Sequence, residues 1–194
     1  ARMAQNQDEY NKKYSSLVIM AISLMIIYKY LSYKTFLSEL DGLTNVMGRK
    51  IFLDFCKKIV SQTSSSQSCF IFIDVDYFKN INDTFGHTAG DKVLKQIAQR
   101  LLHNFKNYGK IGRLGGDEFA IILDQAPSKQ ELAQKFSTFE EEISDLLSAS
   151  HKVSCSIGAY YFDTPQDFQT IYAIADKMLY EAKERGRACW VINE

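Results

Sequence analysis

Apolar residues recur at helical spacing through much of this chain, interrupted by short continuous runs. Ile51, Phe52, Phe55 and Ile59 fall on one face of a helix predicted over residues 49–60. Leu94, Ile97, Ala98, Leu101 and Phe105 line one stripe of a second helix over 89–105. A third covers 128–147, where Ser128 followed three residues on by Glu131 is a capping-box pattern. A fourth covers 167–185 and buries Ile171, Ile174, Met178 and Leu179. Strand signals lie between them. Residues 69–73 form the continuous apolar run of a central strand covered on both faces. Residues 110–114 and 119–123 flank a Gly-Gly turn and predict a hairpin. Residues 153–161 alternate like a strand, and 189–192 close the chain with another. Turn-forming residues occupy 41–45 and 83–90, and 61–68 is a polar loop. The order after residue 49 reads αβαββαβαβ. It predicts an α/β (α+β) domain with helices on a mixed, mostly antiparallel sheet.

The N-terminus has a different character. Residues 1–13 are polar and expected to fray, and 14–40 read as one long helix. No charge occurs from Tyr14 to Tyr28, and extending to Tyr33 adds only Lys29, which can snorkel to an interface. A membrane-spanning helix needs about 20 apolar residues, so the segment is borderline in length. Tyr14, Tyr28, Tyr30 and Tyr33 flank it like an aromatic belt. Lys12 and Lys13 on one side and Lys29 and Lys34 on the other leave its orientation open. A signal peptide fits poorly, because no small-residue cleavage site follows. The expectation is a membrane or signalling helix over 1–40 joined to a domain over 41–194, with a helix that packs on a partner helix as the plainer alternative. The chain begins with Ala1 rather than Met, as a piece of a longer protein would.

Composition narrows the function. At 46% hydrophobic and 13% aromatic residues the chain is globular rather than disordered. Its 194 residues suffice for one full core plus an appendage. Lys+Arg and Asp+Glu both number 23, which argues against a general nucleic-acid binder and leaves a nucleotide enzyme open. Cys56, Cys69, Cys155 and Cys189 form no C-x-x-C pair, so zinc is not expected and a reducing cytosol is the simplest compartment.

The chemistry concentrates in Arg113-Leu114-Gly115-Gly116-Asp117-Glu118-Phe119. The glycines allow a tight turn and close approach of a ligand. Asp117 and Glu118 sit at the mouth of a buried strand, where carboxylates suit a hard cation shared with substrate phosphates. Asp74-Val75-Asp76 ends another apolar strand, and side-chain alternation is expected to let only one of its two acids point into a site. Lys79 can reach a phosphate and Asn82 a base edge, although the segment alone reads as a polar helical turn. Asp91 suits the first turn of its helix, and His87 reads as a turn residue rather than a catalyst. Lys183 and Arg187, at i and i+4, share a face that suits either the helix dipole or a clamp on a triphosphate.

Taken in order, these motifs resemble the GGDEF family of diguanylate cyclases. Residues 115–119 match the family signature, and 74–91 match its second motif almost throughout. Asp41-Gly42-Leu43-Thr44 resembles the entry motif, with Asn45 and Gly48 departing from the usual Gly and Asn. Ser156-Ile157-Gly158 and residues 175–187 match the closing motifs, so the resemblance covers roughly 39–194. It implies a fold similar to nucleotidyl cyclase and polymerase palm domains, and condensation of two GTP into cyclic di-GMP and two pyrophosphates. It implies two divalent ions per site, Mg²⁺ or Mn²⁺, on Asp74, Asp117 and the Val75 carbonyl, with Glu118 assisting activation of the 3′-hydroxyl. Asn82 and Asp91 would read the guanine edge. Lys79, Lys183 and Arg187 would hold the phosphates with backbone N–H groups near Tyr77 and Phe78, while Gly115 and Gly116 make room.

Each such domain holds one GTP, so the resemblance implies an antiparallel homodimer, with 14–40 as a control helix leading to a membrane or an upstream sensor. The implied location is the cell membrane with the catalytic domain in the cytoplasm, or alternatively the cytoplasm alone. Many relatives carry an Arg-x-x-Asp product-inhibition site where this chain has Lys106-Asn107-Tyr108-Gly109, so strong feedback through that site is not expected. The main rival is a non-catalytic module that binds GTP or cyclic di-GMP, against which stand the intact Asp74, Asp117 and Glu118. A relative that also uses ATP is disfavoured by Asp91, whose carboxylate matches guanine donors that adenine lacks. A purely structural domain leaves the acids and the basic clamp unexplained.

Overall fold

In the computed structural model, which describes residues 2–62, 67–148 and 151–193, the apolar run after the polar loop becomes the central strand β2 (Ser68–Val75). It pairs antiparallel with β4 (Glu118–Leu123) on one side and β5 (Cys155–Phe162) on the other. β3 (Gly109–Gly115) adds to β4 antiparallel, β1 (Met47–Gly48) adds to β3 in parallel, and β6 (Trp190–Ile192) adds to β5 in parallel. The sheet order is therefore β1-β3-β4-β2-β5-β6, mostly antiparallel as expected.

Alternation along β2 sorts the core into two layers. Cys69, Ile71, Ile73 and Val75 pack with Leu94, Ile97 and Leu101 of α4 (His87–Phe105) and with Leu132, Phe136 and Phe139 of α5 (Lys129–Ser144). Phe70 and Phe72 pack with Phe52 of α2 (Arg49–Gln62) and with Phe168, Ile171 and Leu179 of α6 (Phe168–Glu184). Phe70 meets Phe168 edge-on at 5.5 Å between ring centroids. Burial of each such ring contributes about 1.5–3 kcal/mol. The Ser128 capping box forms: the Glu131 N–H donates to the Ser128 hydroxyl, and the Ser128 N–H donates to Glu131 Oε2 at 3.0 Å.

Several expectations need correction. The polar residues 2–13 belong to α1, which runs from Arg2 to Ser38; nothing before residue 39 is Gly or Pro, and Ala4, Gln5, Gln7 and Glu9 are good helix formers. The expected turn at 83–90 is two helices, α3 (Phe78–Phe85) and α4, separated by Gly86 alone at φ 82°. α2 extends into the expected 61–68 loop as far as Gln62, β2 begins at Ser68, and residues 63–66 lie outside the described residues. The two-residue β1 is too short to carry a period. The chain divides into two units, Ala1–Glu39 and Leu40–Glu194. Within α1, Lys13–Leu31 is long and apolar enough to cross a membrane by length and composition, and its side chains are exposed.

One core position carries a pH prediction. The Glu140 carboxyl accepts from the Cys155 N–H at 3.1 Å, and burial pushes its pKa up to about 8 from an ordinary 4.5, with that hydrogen bond opposing and Asp76 adding to the rise. A folded-state pKa above the unfolded one means that the protonated form favours the fold. This contribution is complete below pH 4.5 and is lost as pH rises through 8. Glu140→Gln keeps an acceptor for Cys155 without the ionisation. Melting temperatures from pH 5 to 9 are therefore expected to fall less steeply in the variant, with a gain of about 1–3 kcal/mol at the alkaline end. Parallel curves for the two proteins would refute this.

Candidate active site

Two strand ends meet at one edge of the sheet. Asp74, next to last in β2, stands opposite Glu118, the first residue of β4. The Val75 N–H donates to the Asp117 carbonyl at 3.2 Å and ties the two ends together. Between β3 and β4 the chain turns at Gly115 and Gly116, the latter at φ 46°, which favours glycine. A Cβ built at either glycine meets nothing within 4 Å, so this edge is open to a ligand.

The acids crowd one another. Burial raises the Asp74 pKa, the Lys183 ammonium opposes that rise, and Asp117 and Asp76 add to it. Burial raises Glu118 as well, and then Asp74 and Asp117 raise it further. Lys183 Nζ sits 2.8 Å from Asp74 Oδ2, where positive charge is in demand. Among the described residues no group of three His, Cys, Asp or Glu side chains is placed to hold a metal unaided. The oxygen donors present, two carboxylates and a carbonyl, suit a hard cation that takes its remaining ligands from phosphate and water.

The other expected residues fall on neighbouring elements. Tyr77, at φ 53°, precedes α3, and Phe78 and the exposed Lys79 form its first turn, where N–H groups lack helical partners. Gly90 lets α4 abut Asn82; a Cβ there would lie 2.0 Å from Asn82 Oδ1 and 3.2 Å from Phe78 Cζ. Asp91 follows, exposed, in the first turns of α4. The Arg187 guanidinium lies over the Tyr77 ring at 4.8 Å.

The sequence profile described as diguanylate cyclase, GGDEF domain, matches residues 38–189. The chain belongs to the GGDEF family. It is 34% identical over 155 residues to diguanylate cyclase DosC of Escherichia coli K12, covering 76% of this chain and 34% of that protein. It is 30% identical over 189 residues to the probable diguanylate cyclase DgcT of the same organism, covering 93% of this chain and 41% of that one. The chain thus spans between a third and a half of the length of the curated relatives it matches. The coiled coil and GGDEF domain of DgcB from Caulobacter crescentus, solved in complex with c-di-GMP, superposes with a TM-score of 0.81 at 23% identity, covering 92% of this chain and 98% of that one, a likeness of fold.

This GGDEF domain departs from the reading of its sequence at three places. Lys183 and Arg187 do not share a helix face, because α6 ends at Glu184 and Gly186, at φ 114°, turns the chain out of the helix. Lys183 pairs with Asp74, and Arg187 goes to Tyr77. Alternation does not separate Asp74 from Asp76, since residues two apart face the same side of a regular strand. The difference arises because β2 stops at Val75 and Asp76 is drawn into buried hydrogen bonds.

The third departure is a role for Arg113, named above only as part of the signature segment. Arg113 donates to the Gly116 carbonyl from Nε at 3.1 Å and from Nη2 at 2.6 Å, and from Nη1 to Asp41 Oδ1 at 3.0 Å. The same Asp41 oxygen accepts from the Thr44 N–H and hydroxyl. The Asp41–Thr44 spacing was visible as a turn; its partner across the sheet carries no local signal. A cavity of about 420 Å³ lies alongside α3, lined by Asp76, Tyr77, Asn80, Ile81, Phe85 and His151 among others. It includes none of Asp74, Asp117 and Glu118.

Proposed function

We propose that this GGDEF domain is an active diguanylate cyclase. It joins two GTP molecules by attack of each 3′-hydroxyl on the other's α-phosphate, which releases two pyrophosphates and closes cyclic di-GMP. The observation that carries this reading is the retention of Asp74, Asp117 and Glu118 together at one open sheet edge, with Lys183 against them.

Asp74, Asp117 and the Val75 carbonyl would hold two Mg²⁺ or Mn²⁺ ions, which supply charge neutralisation for the attacking and leaving oxygens. Glu118, opposite Asp74 across the strand pair, would take the proton from the 3′-hydroxyl oxygen. Lys183, which the fold places against Asp74, would hold the phosphates together with Arg187, Lys79 and the N–H groups of Tyr77 and Phe78. Asn82 and the Asp91 carboxylate read the guanine edge. Because each domain binds one GTP, turnover needs a homodimer. α1 serves as the pairing or membrane element, with the catalytic domain on the cytoplasmic side, where GTP is found. An upstream sensor would act through residues 14–40.

A protein starting near Leu37, incubated with Mg²⁺ and GTP with and without an added dimeriser, is expected to release one pyrophosphate per GTP into cyclic di-GMP, faster when dimerised. Excess ATP is expected neither to compete nor to be incorporated. GTP binding with no product across a wide protein concentration range would make the domain a silent receptor instead. Cyclic di-GMP is not expected to inhibit strongly, because Lys106 lacks the planar fork of arginine and position 109 carries no acid. Low-micromolar inhibition that Lys106→Ala removes would overturn this.

A further inference from the structure

We infer that Asp76 is a positioning residue that sets the arm carrying Arg187. This rests on the reading of Arg187 as a phosphate-holding group and goes beyond it by assigning the residue that aims it. Asp76 is 4% exposed and accepts three hydrogen bonds: from Ser156 Oγ to Oδ1 at 2.7 Å, from Ser154 Oγ to Oδ2 at 2.7 Å, and from the Ala188 N–H to Oδ2 at 3.0 Å. Its own N–H donates to the Ser154 carbonyl at 2.9 Å. Among the described residues no Lys or Arg forms an ion pair with it. A buried carboxylate without a cation persists where donors converge on it, and these bonds are charge-assisted.

One of the three donors is unlike the others. Ser154 directly precedes β5 and Ser156 is its second residue, and both anchor the carboxylate. The Ala188 N–H belongs to the segment that leaves α6. There Gly186, Arg187 and Ala188 all have positive φ, at 114°, 67° and 48°. Two successive non-glycine residues in that region persist only where their surroundings hold them. Within the segment, the Arg187 N–H reaches back to the Ala182 carbonyl at 3.1 Å, and the Ala188 N–H is held by Asp76 from across the fold.

The other end of the Arg187 contact begins at Asp76 as well. Tyr77, the next residue in the chain, is itself left-handed, and it presents the ring over which Arg187 lies. Arg187 Nη1 also donates to the Tyr77 hydroxyl at 3.5 Å. Asp76 therefore fixes both partners, one by covalent adjacency and the other through Ala188. It does so two residues from Asp74, so the phosphate arm and the acid edge share one anchor.

The full chain tests this through equilibrium binding of a non-hydrolysable GTP analogue with Mg²⁺, with melting temperature recorded for each variant. Asp76→Ala is expected to weaken binding about tenfold, the loss of one charge-assisted contact. Asp76→Asn is expected to bind near wild type, because its amide oxygen can serve Ser154 and Ala188 while its NH₂ faces the Ser156 hydroxyl, which can accept. In an Arg187→Ala background, Asp76→Ala is expected to cost nothing further. If Asp76→Ala does not fold, Asp76→Ser replaces it; its hydroxyl stays among the serines and is too short for Ala188. Equal weakening by Asn and Ala, unchanged binding in a folded Ala or Ser variant, or additive losses with Arg187→Ala would each overturn the inference. A wild-type chain that binds no analogue sinks the reading of the site itself, whereas wild-type binding with an unaffected Asp76 variant sinks only this inference.

Discussion

Asp117→Asn is expected to slow pyrophosphate release from GTP about 100- to 1000-fold while leaving the fold as stable as wild type or slightly more so. The two effects have separate causes. The structural tie of Asp117 is its backbone carbonyl, which accepts from the Val75 N–H and survives the substitution. Its carboxylate adds to the crowding that pushes up both Asp74 and Glu118, so neutralising it relieves repulsion. The site, however, loses one of two anionic ligands for the proposed cations. Loss of an electrostatic contact of that kind costs about 100- to 1000-fold in turnover. A coupled pyrophosphate assay and a thermal melt read both effects. Turnover within a few-fold of wild type would remove Asp117 from the proposed chemistry.

Gly158→Ala is expected to produce a large loss of stability from a single methyl group. Gly158 lies in the middle of β5, beneath α6. A Cβ there would stand 2.3 Å from the Leu179 nitrogen, 2.4 Å from the Ala175 oxygen and 2.9 Å from the Met178 carbonyl carbon. These are backbone atoms of a helix, so no side chain can rotate aside and α6 must lift as a unit. Such overpacking costs about 3 kcal/mol, or roughly 6–12 °C in a domain of this size. Because α6 carries Lys183, GTP binding is expected to weaken even at temperatures where the variant stays folded. A melting temperature within 2 °C of wild type, on the scale of about 1 kcal/mol or less, would show that the helix accommodates the methyl group.

The sequence was most legible where periodicity and burial coincide. β2 announced itself because both of its faces are covered, and α4, α5 and α6 because each repeats an apolar stripe over several turns. α3 was hidden. Its eight residues bury Ile81 alone among polar neighbours, and its neighbour begins one glycine later. Within the site, the acids could be singled out by their place at strand ends, but their partners could not. Arg113 meets Asp41 across 72 positions of sequence, and Asp76 meets Ala188 across 112. Arg187 was placed on α6 by counting, although Gly186 was the available sign that the helix had already ended.

The Arg113 guanidinium has a mechanical consequence. It grips the carbonyl of the Gly-Gly turn on one side and the turn at Asp41, where the chain enters the domain, on the other. One planar group of atoms thus braces the entry turn and the acid hairpin against each other.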